Sequence, residues 1–250
     1  MLYTLYEKII EYSKIPDILK IGCVTPVYKP GKPKNHVSSH KPISVTSNIS
    51  KLFEKLLLNN LQSFIFNNNI LPSNQYGFIP GLSVEHQLID LLKCITEKLN
   101  TTGIMCIDII FLDASNAFDT IPHDLLLTDI QSIGINDIFL KILIDFFTDR
   151  YQYVKYNDIK SFLCEVVSGV LQGGVLSPLL YNTFVRKFSQ ILQYSESFLF
   201  ADDTNLVKAI YEVCSESTRT VLITQKVRIE HCIKLLIPLD TYLINKFHFI

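Results

Sequence analysis

The sequence predicts an α+β fold, an antiparallel sheet packed on helices, and three observations predict it. An unbroken apolar run from Ile104 to Leu112 reads as a buried strand. Helical apolar periods stand before and after it, and near the end two short runs, Ser197 to Ala201 and Asn205 to Lys208, flank Asp202-Asp203 as a hairpin flanks its turn. The order strand, helices, two strands, helix, hairpin predicts helices covering one face of an antiparallel sheet, with the other face free to hold a substrate.

The elements follow in order. Residues 1 to 14 read as an amphipathic helix, and Ile18 to Tyr28 as an extended run closed by the turn-rich Lys29-Pro30-Gly31-Lys32-Pro33. Ser47 is placed to cap a helix running to about Phe66 and stopped by Asn67-Asn68-Asn69, and Ser83 to open one running to about Leu99. Gln75 to Gly81 lies between them as a loop. After the Ile104 strand, Pro122 stands at a first helical position, and a second helix spans about Asn136 to Thr148. Strands are expected at Tyr151 to Tyr156 and Phe162 to Val167, and a helix from Ser177-Pro178 to about Gln193. From Ser217 onward the pattern is mainly helical, interrupted at Pro238.

At 250 residues and 48% hydrophobic content the chain can bury a sizeable core. No apolar run reaches the roughly 18 residues that a membrane span needs, and the N-terminus carries no signal-peptide stretch, so an intracellular, unanchored protein without a membrane partner is expected. The six cysteines form no C-x-x-C pair, which points away from a zinc site or a disulfide framework and toward buried free thiols. Net charge is -1, but residues 1 to 60 hold nine lysines against four acids. A basic N-terminal part beside an acidic remainder suits a protein that grips phosphate with one part and collects cations with the other; a solvated lysine-rich surface would leave the same pattern.

Two acidic segments carry the chemistry. Phe111-Leu112-Asp113-Ala114-Ser115-Asn116-Ala117-Phe118-Asp119 and Phe200-Ala201-Asp202-Asp203 each begin where a strand-like run ends, and strand ends are rigid places for metal ligands. Together they can set three carboxylates around two divalent cations roughly 3.5 to 4 Å apart, the arrangement that activates an attacking oxygen and stabilises a departing one. Taken singly, Asp202-Asp203 reads as ordinary turn residues and Asp113 as a helix cap.

Ordered segments along the chain resemble the reverse transcriptase domain of non-LTR, LINE-type and jockey-like retrotransposons. Ile15 to Lys20 with Val24 to Lys32 resembles the entry to the fingers; His40-Lys41-Pro42-Ile43-Ser44 with Ser50 to Lys55 resembles the first finger motif, and Gln75-Tyr76-Gly77-Phe78-Ile79-Pro80-Gly81 the second. Phe111 to Asp119, Ser168 to Pro178 and Phe200 to Asp203 resemble the three palm motifs in order, and Leu239 to Lys246 the start of the region after the catalytic hairpin. The resemblance implies fingers over residues 1–102, a palm over 103–210 and the helical start of a post-palm region over 211–250, with the thumb missing. It implies RNA-directed DNA polymerisation with two Mg2+ ions, Mn2+ as a substitute, on an RNA template with a DNA primer and deoxynucleoside triphosphates.

By the same resemblance, Asp113, Asp202 and Asp203 are the catalytic metal ligands. Phe118 is the bulky gate against a ribose 2′-hydroxyl, Gln172 and Gly173 lie against nucleotide and template, and Lys41 contacts the nucleotide; a core aromatic and a plain turn are the readings of Phe118 and the glycines without it. Asp119 reads as structural support, and Asn205 is assigned no role. The pattern departs from the family in places. Lys41 stands for an arginine and loses its bidentate fork, Ile79 replaces an arginine outright, and Leu82, Val84, Gly174 and Ser177 differ from the common form. Losing the charge at position 79 costs a contact on the order of 1.5 to 3 kcal/mol. With the thumb and endonuclease expected elsewhere in a parent element, the alternative is a catalytically silent or co-opted nucleic-acid-binding remnant, which the three intact aspartates oppose. A nuclear location follows from the resemblance alone.

Overall fold

The computed structural model describes residues 2–114, 116–135, 137–191 and 195–211. The expected helical stretch from Ser217, Pro238, Leu239 to Lys246, and Cys214 and Cys232 lie outside the described residues. The chain divides into two compact units interleaved in sequence: Met1–Asn68 with Phe118–Tyr181, and Asn69–Ala117 with Asn182–Ile250.

In the first unit, α1 (Leu2–Tyr12) turns Tyr6 and Ile9 inward. The Tyr6 ring lies 5.3 Å from that of Phe53 in α2 (Asn48–Asn67), and its hydroxyl donates to the Ile49 carbonyl at 2.9 Å. Ser47 caps α2 as expected, its Oγ accepting from the Ser50 N–H at 3.1 Å, and Phe53, Leu57, Leu61 and Ile65 form the buried stripe at helical spacing. Helix α4 (His123–Ser132) packs on α5 (Asp137–Phe147), as does α1. Pro122 precedes α4 by one residue rather than opening it.

The first unit's sheet runs β2-β1-β4-β5, with β6 also on β4. Strand β1 (Ile21–Tyr28) pairs antiparallel with β2 (His40–Val45) and parallel with β4 (Tyr151–Tyr156); β5 (Ile159–Lys160) and β6 (Cys164–Glu165) are two-residue strands. The sequence assigns the Tyr151 to Tyr156 strand no partner; its parallel pairing with β1, more than a hundred residues earlier, leaves no local pattern to read. The strand expected over Phe162 to Val167 shrinks to β6, because Phe162 and Val167 are 93% and 75% exposed and nothing packs them down. Strand β2 went unforeseen because Pro42 interrupts it. The ladder tolerates this proline: Ser44, opposite Val24, sends its N–H away from β1 to the Gln172 carbonyl at 2.7 Å, so alternate pairs, including Pro26 opposite Pro42, exchange no hydrogen bonds.

In the second unit the sheet order is β3-β8-β7, all antiparallel; β3 (Ile104–Leu112) has its expected bounds and β7 (Glu196–Phe200) is one residue early. Strand β8 (Asp203–Tyr211) is longer than the expected Asn205 to Lys208, so that Asp203 opens the strand and the turn is Ala201-Asp202. Helix α3 (Val84–Leu99) covers one face, where Leu91 and Cys94 meet Tyr76, Phe198 and Val207. The other face, which the element order leaves free for a substrate, is partly covered: Phe188, in the short helix α7 (Phe188–Ile191), packs on the buried Leu112 and Leu206. Helix α6 (Ser177–Val185) ends at Arg186-Lys187, a break the expected single helix lacked, and α7 follows; Gln193, its expected end, lies outside the described residues. Among the described residues, no helix is long and apolar enough to cross a membrane. Cys94 is buried, whereas Cys106 and Cys164 are exposed, so burial accounts for only some of the free thiols.

Candidate active site

The ladder of the second unit brings the acidic segments together. In the β3–β8 register Leu112 stands opposite Thr204, so one residue further Asp113 comes level with Asp203. Strands β7 and β8 are joined by two residues, Ala201 and Asp202, between the paired Phe200 and Asp203. Residues so placed across an antiparallel pair have Cβ atoms about 4.5–5.5 Å apart. Asp113 and Asp203 are exposed and Asp202 is half-buried. Partial burial, then the charges of Asp202 and Asp113, push the Asp203 carboxyl above its ordinary value. That mutual repulsion is the electrostatic sign that all three share one end of the sheet. The donor set, carboxylate oxygens alone, fits a hard cation such as Mg2+. As the side chains are placed, however, no three His, Cys, Asp or Glu groups among the described residues stand close enough to hold a metal ion.

The segment before α3 lies along the free edge of β7. The Leu199 N–H donates to the Asn74 carbonyl and the Tyr76 N–H to the Leu199 carbonyl, both at 2.8 Å, while Gln87 Nε2 donates to the Phe198 carbonyl at 3.0 Å. Gln75, 2% exposed, accepts from the N–H groups of Gly77 and Ala201 with one oxygen, Oε1, each at 2.9 Å. A Cβ on Gly77 would stand 2.2 Å from the Ala201 nitrogen, and Asn182 Nδ2 donates to the Gly77 carbonyl at 2.7 Å. The sequence placed Gln75 and Gly77 in a motif without assigning them work. Only their long-range partners show it.

The first unit holds the remaining predicted residues. Ser168 to Val170 runs against Phe118 to Pro122: the Val170 N–H reaches the Phe118 carbonyl and the Gly169 N–H the Ile121 carbonyl, both at 2.7 Å. Gly169 has φ 86°, and a Cβ there would lie 2.7 Å from Asp119 backbone atoms, so glycine is required. Phe118 stacks on Tyr181 at 4.5 Å between centroids and 11° between planes. Gln172 Nε2 donates to Asp119 Oδ2 at 2.8 Å. Burial raises the Asp119 carboxyl, opposed by that hydrogen bond and by the charge of Lys41, which is exposed on β2. The close approach at Gly173, with φ 105°, is to the Ser44 carbonyl, 2.9 Å from a would-be Cβ. Glu54, 1% exposed, anchors the following turn by accepting from the Val175 N–H at 2.8 Å. Asp119, Tyr181 and Glu54 thus hold the predicted residues in place.

Residues 29–228 match the family model described as reverse transcriptase (RNA-dependent DNA polymerase). The probable RNA-directed DNA polymerase from transposon BS of Drosophila melanogaster is 32% identical over 207 residues, 83% of this chain and 22% of that relative. The RNA-directed DNA polymerase from mobile element jockey of the same organism is 27% identical over 184 residues, 72% of this chain and 19% of that one. The chain therefore spans about a fifth of the curated relatives it matches. Among solved structures, telomerase from Candida tropicalis with the TWJ fragment of telomeric RNA superposes with a TM-score of 0.61 at 12% identity, over 99% of this chain and 44% of that one, a likeness of fold. With the family model matching most of its length, and with the mixed helix-and-sheet fold of a polymerase fingers and palm, the chain belongs to the reverse transcriptase family.

Proposed function

We propose that the chain is the RNA-directed DNA polymerase core of a non-LTR, jockey-like element, adding deoxynucleotides from their triphosphates to a primer 3′-hydroxyl on an RNA template. The observation that carries this reading is the shared position of Asp113, Asp202 and Asp203, with Asp203 raised in part by its two neighbours. Two Mg2+ ions, or Mn2+ in their place, supply the acidification of the attacking hydroxyl and the neutralisation of the leaving pyrophosphate when bound. Asp113 and Asp202 would be the principal ligands and Asp203 the third carboxylate. Lys41 offers a positive charge to nucleotide phosphates, as a point charge rather than a fork. Phe118, backed by Tyr181, would crowd a ribose 2′-hydroxyl, and Gln172 and Gly173 would lie against nucleotide and template.

The test is primer extension on a primed homopolymeric RNA with Mg2+, comparing the chain with an Asp202→Asn, Asp203→Asn double variant. Product from the first and none from the second is expected. No product from the chain would sink the proposal. RNA binding without extension would then favour the silent remnant, the reading that Ile79 and the separated carboxylate side chains support.

A further inference from the structure

We infer that Gln75 is a positioning residue that fixes the Ala201-Asp202 turn for metal binding, an inference that rests on the polymerase reading above. Two features of the turn require a holder. The Ala201 N–H lies past the last β7–β8 pair in a residue that is 6% exposed, and a buried backbone donor must find a partner. Ala201 also has φ 57°, a left-handed conformation that costs a non-glycine residue free energy and persists only where the surroundings over-determine it. Gln75 meets the first need directly, since its carbonyl oxygen has two lone pairs and spends them on Gly77 and Ala201. Gly77 meets the second by bringing its Cα so near Ala201 that no side chain fits between them, with Asn182 holding the Gly77 carbonyl.

Asp202 follows Ala201 directly, so any rotation at Ala201 swings that carboxylate. The clamp differs from ordinary closure of a strand edge. The bonds Leu199 N–H to Asn74 and Tyr76 N–H to Leu199 are backbone to backbone, and they survive loss of the Gln75 side chain. Its removal should therefore loosen the turn while leaving the edge paired. Partners of this kind typically change metal affinity or activity 10- to 100-fold when removed.

The experiment compares the chain with Gln75→Met, which keeps length and apolar volume without the acceptor. Extension is measured against MgCl2 and against deoxynucleotide concentration, and backbone amide exchange is followed at Ala201 and Leu199. The Mg2+ concentration for half-maximal rate should rise roughly 10-fold or more, with the deoxynucleotide KM within about twofold. The Ala201 amide should exchange faster while Leu199 stays protected, and Gln75→Glu, which retains the acceptor, should restore protection at Ala201. An unchanged Mg2+ dependence with Ala201 still protected overturns the inference, as does equal loss of protection at both amides, the mark of a merely structural role. If the parent chain makes no product, the polymerase reading fails, and amide exchange alone decides for or against the clamp. Should Gln75→Met not fold, Gln75→Asn withdraws the acceptor by about 1.5 Å and carries the same expectations.

Discussion

Asp203 stores a conflict that a cation would resolve. Its carboxyl is raised by partial burial and by two like charges, so the proton it favours in the folded state stabilises the fold below the ordinary carboxylate value, and that contribution is lost as pH rises through the raised one. As pH rises, the metal-free protein takes on that repulsion. Asp203→Asn should therefore melt at a higher temperature than the parent chain in EDTA at pH 7, with the difference fading in acid. Added MgCl2 should stabilise the parent more than the variant. Calorimetric scans at the two pH values check this, and an unchanged or lower melting temperature at pH 7 would contradict it. At this scale the two acidic segments stood out only in combination, each at the end of a strand-like run, since either one alone reads as an ordinary turn or cap. Gln75, Asp119 and Glu54 were not, because each acts through partners 53 to 126 positions away and a sequence does not display its long-range hydrogen bonds.

Strand β3 was read at its final bounds and the hairpin at its place, since a long apolar run and an acidic turn are local signals, though β8 proved longer than expected and took Asp203 out of the turn. The first sheet was read poorly. Strand β2 contains Pro42, β4 takes a distant parallel partner, and Phe162 to Val167 is apolar without being buried. Packing between elements also bears on nucleotide choice. Phe118 leaves the loop after β3 and stacks on Tyr181 of α6, a contact worth about 0.5–1.5 kcal/mol beyond area burial. Tyr181→Leu should let the Phe118 ring tilt and should lower the preference for deoxynucleotides over ribonucleotides by about three- to tenfold. Single-nucleotide incorporation kinetics with both sugars measure it; a preference that stays intact would show that Phe118 needs no backing.

For the whole chain, the interleaving of the two units means that neither is a contiguous stretch of sequence. The first unit is tied across its own sequence gap by Asp145 of α5, which accepts from Lys14 Nζ at 2.8 Å and the Ile15 N–H at 2.7 Å and pairs with Lys20 Nζ at 3.0 Å. Burial pushes the Asp145 carboxyl up, but these partners outweigh it and hold it below its ordinary value. Its contribution is thus present above the unfolded carboxylate value and lost as pH falls through the lowered one. Asp145→Asn leaves the Lys20 ammonium, 3% exposed, without its countercharge and should cost about 3–5 kcal/mol. Urea midpoints against pH should show the parent weakening in acid below the ordinary carboxylate range, and the variant lacking that step.

Gly77 has a consequence for the history of such chains. Every amino-acid replacement at this codon introduces a Cβ, and the space it would need is occupied by the Ala201 amide. A copy accumulating mutations without selection on its product meets no barrier there, whereas a lineage whose protein still has to work does. Across a population of related copies, codon 77 would therefore serve as a tally of which ones have recently been tested as proteins.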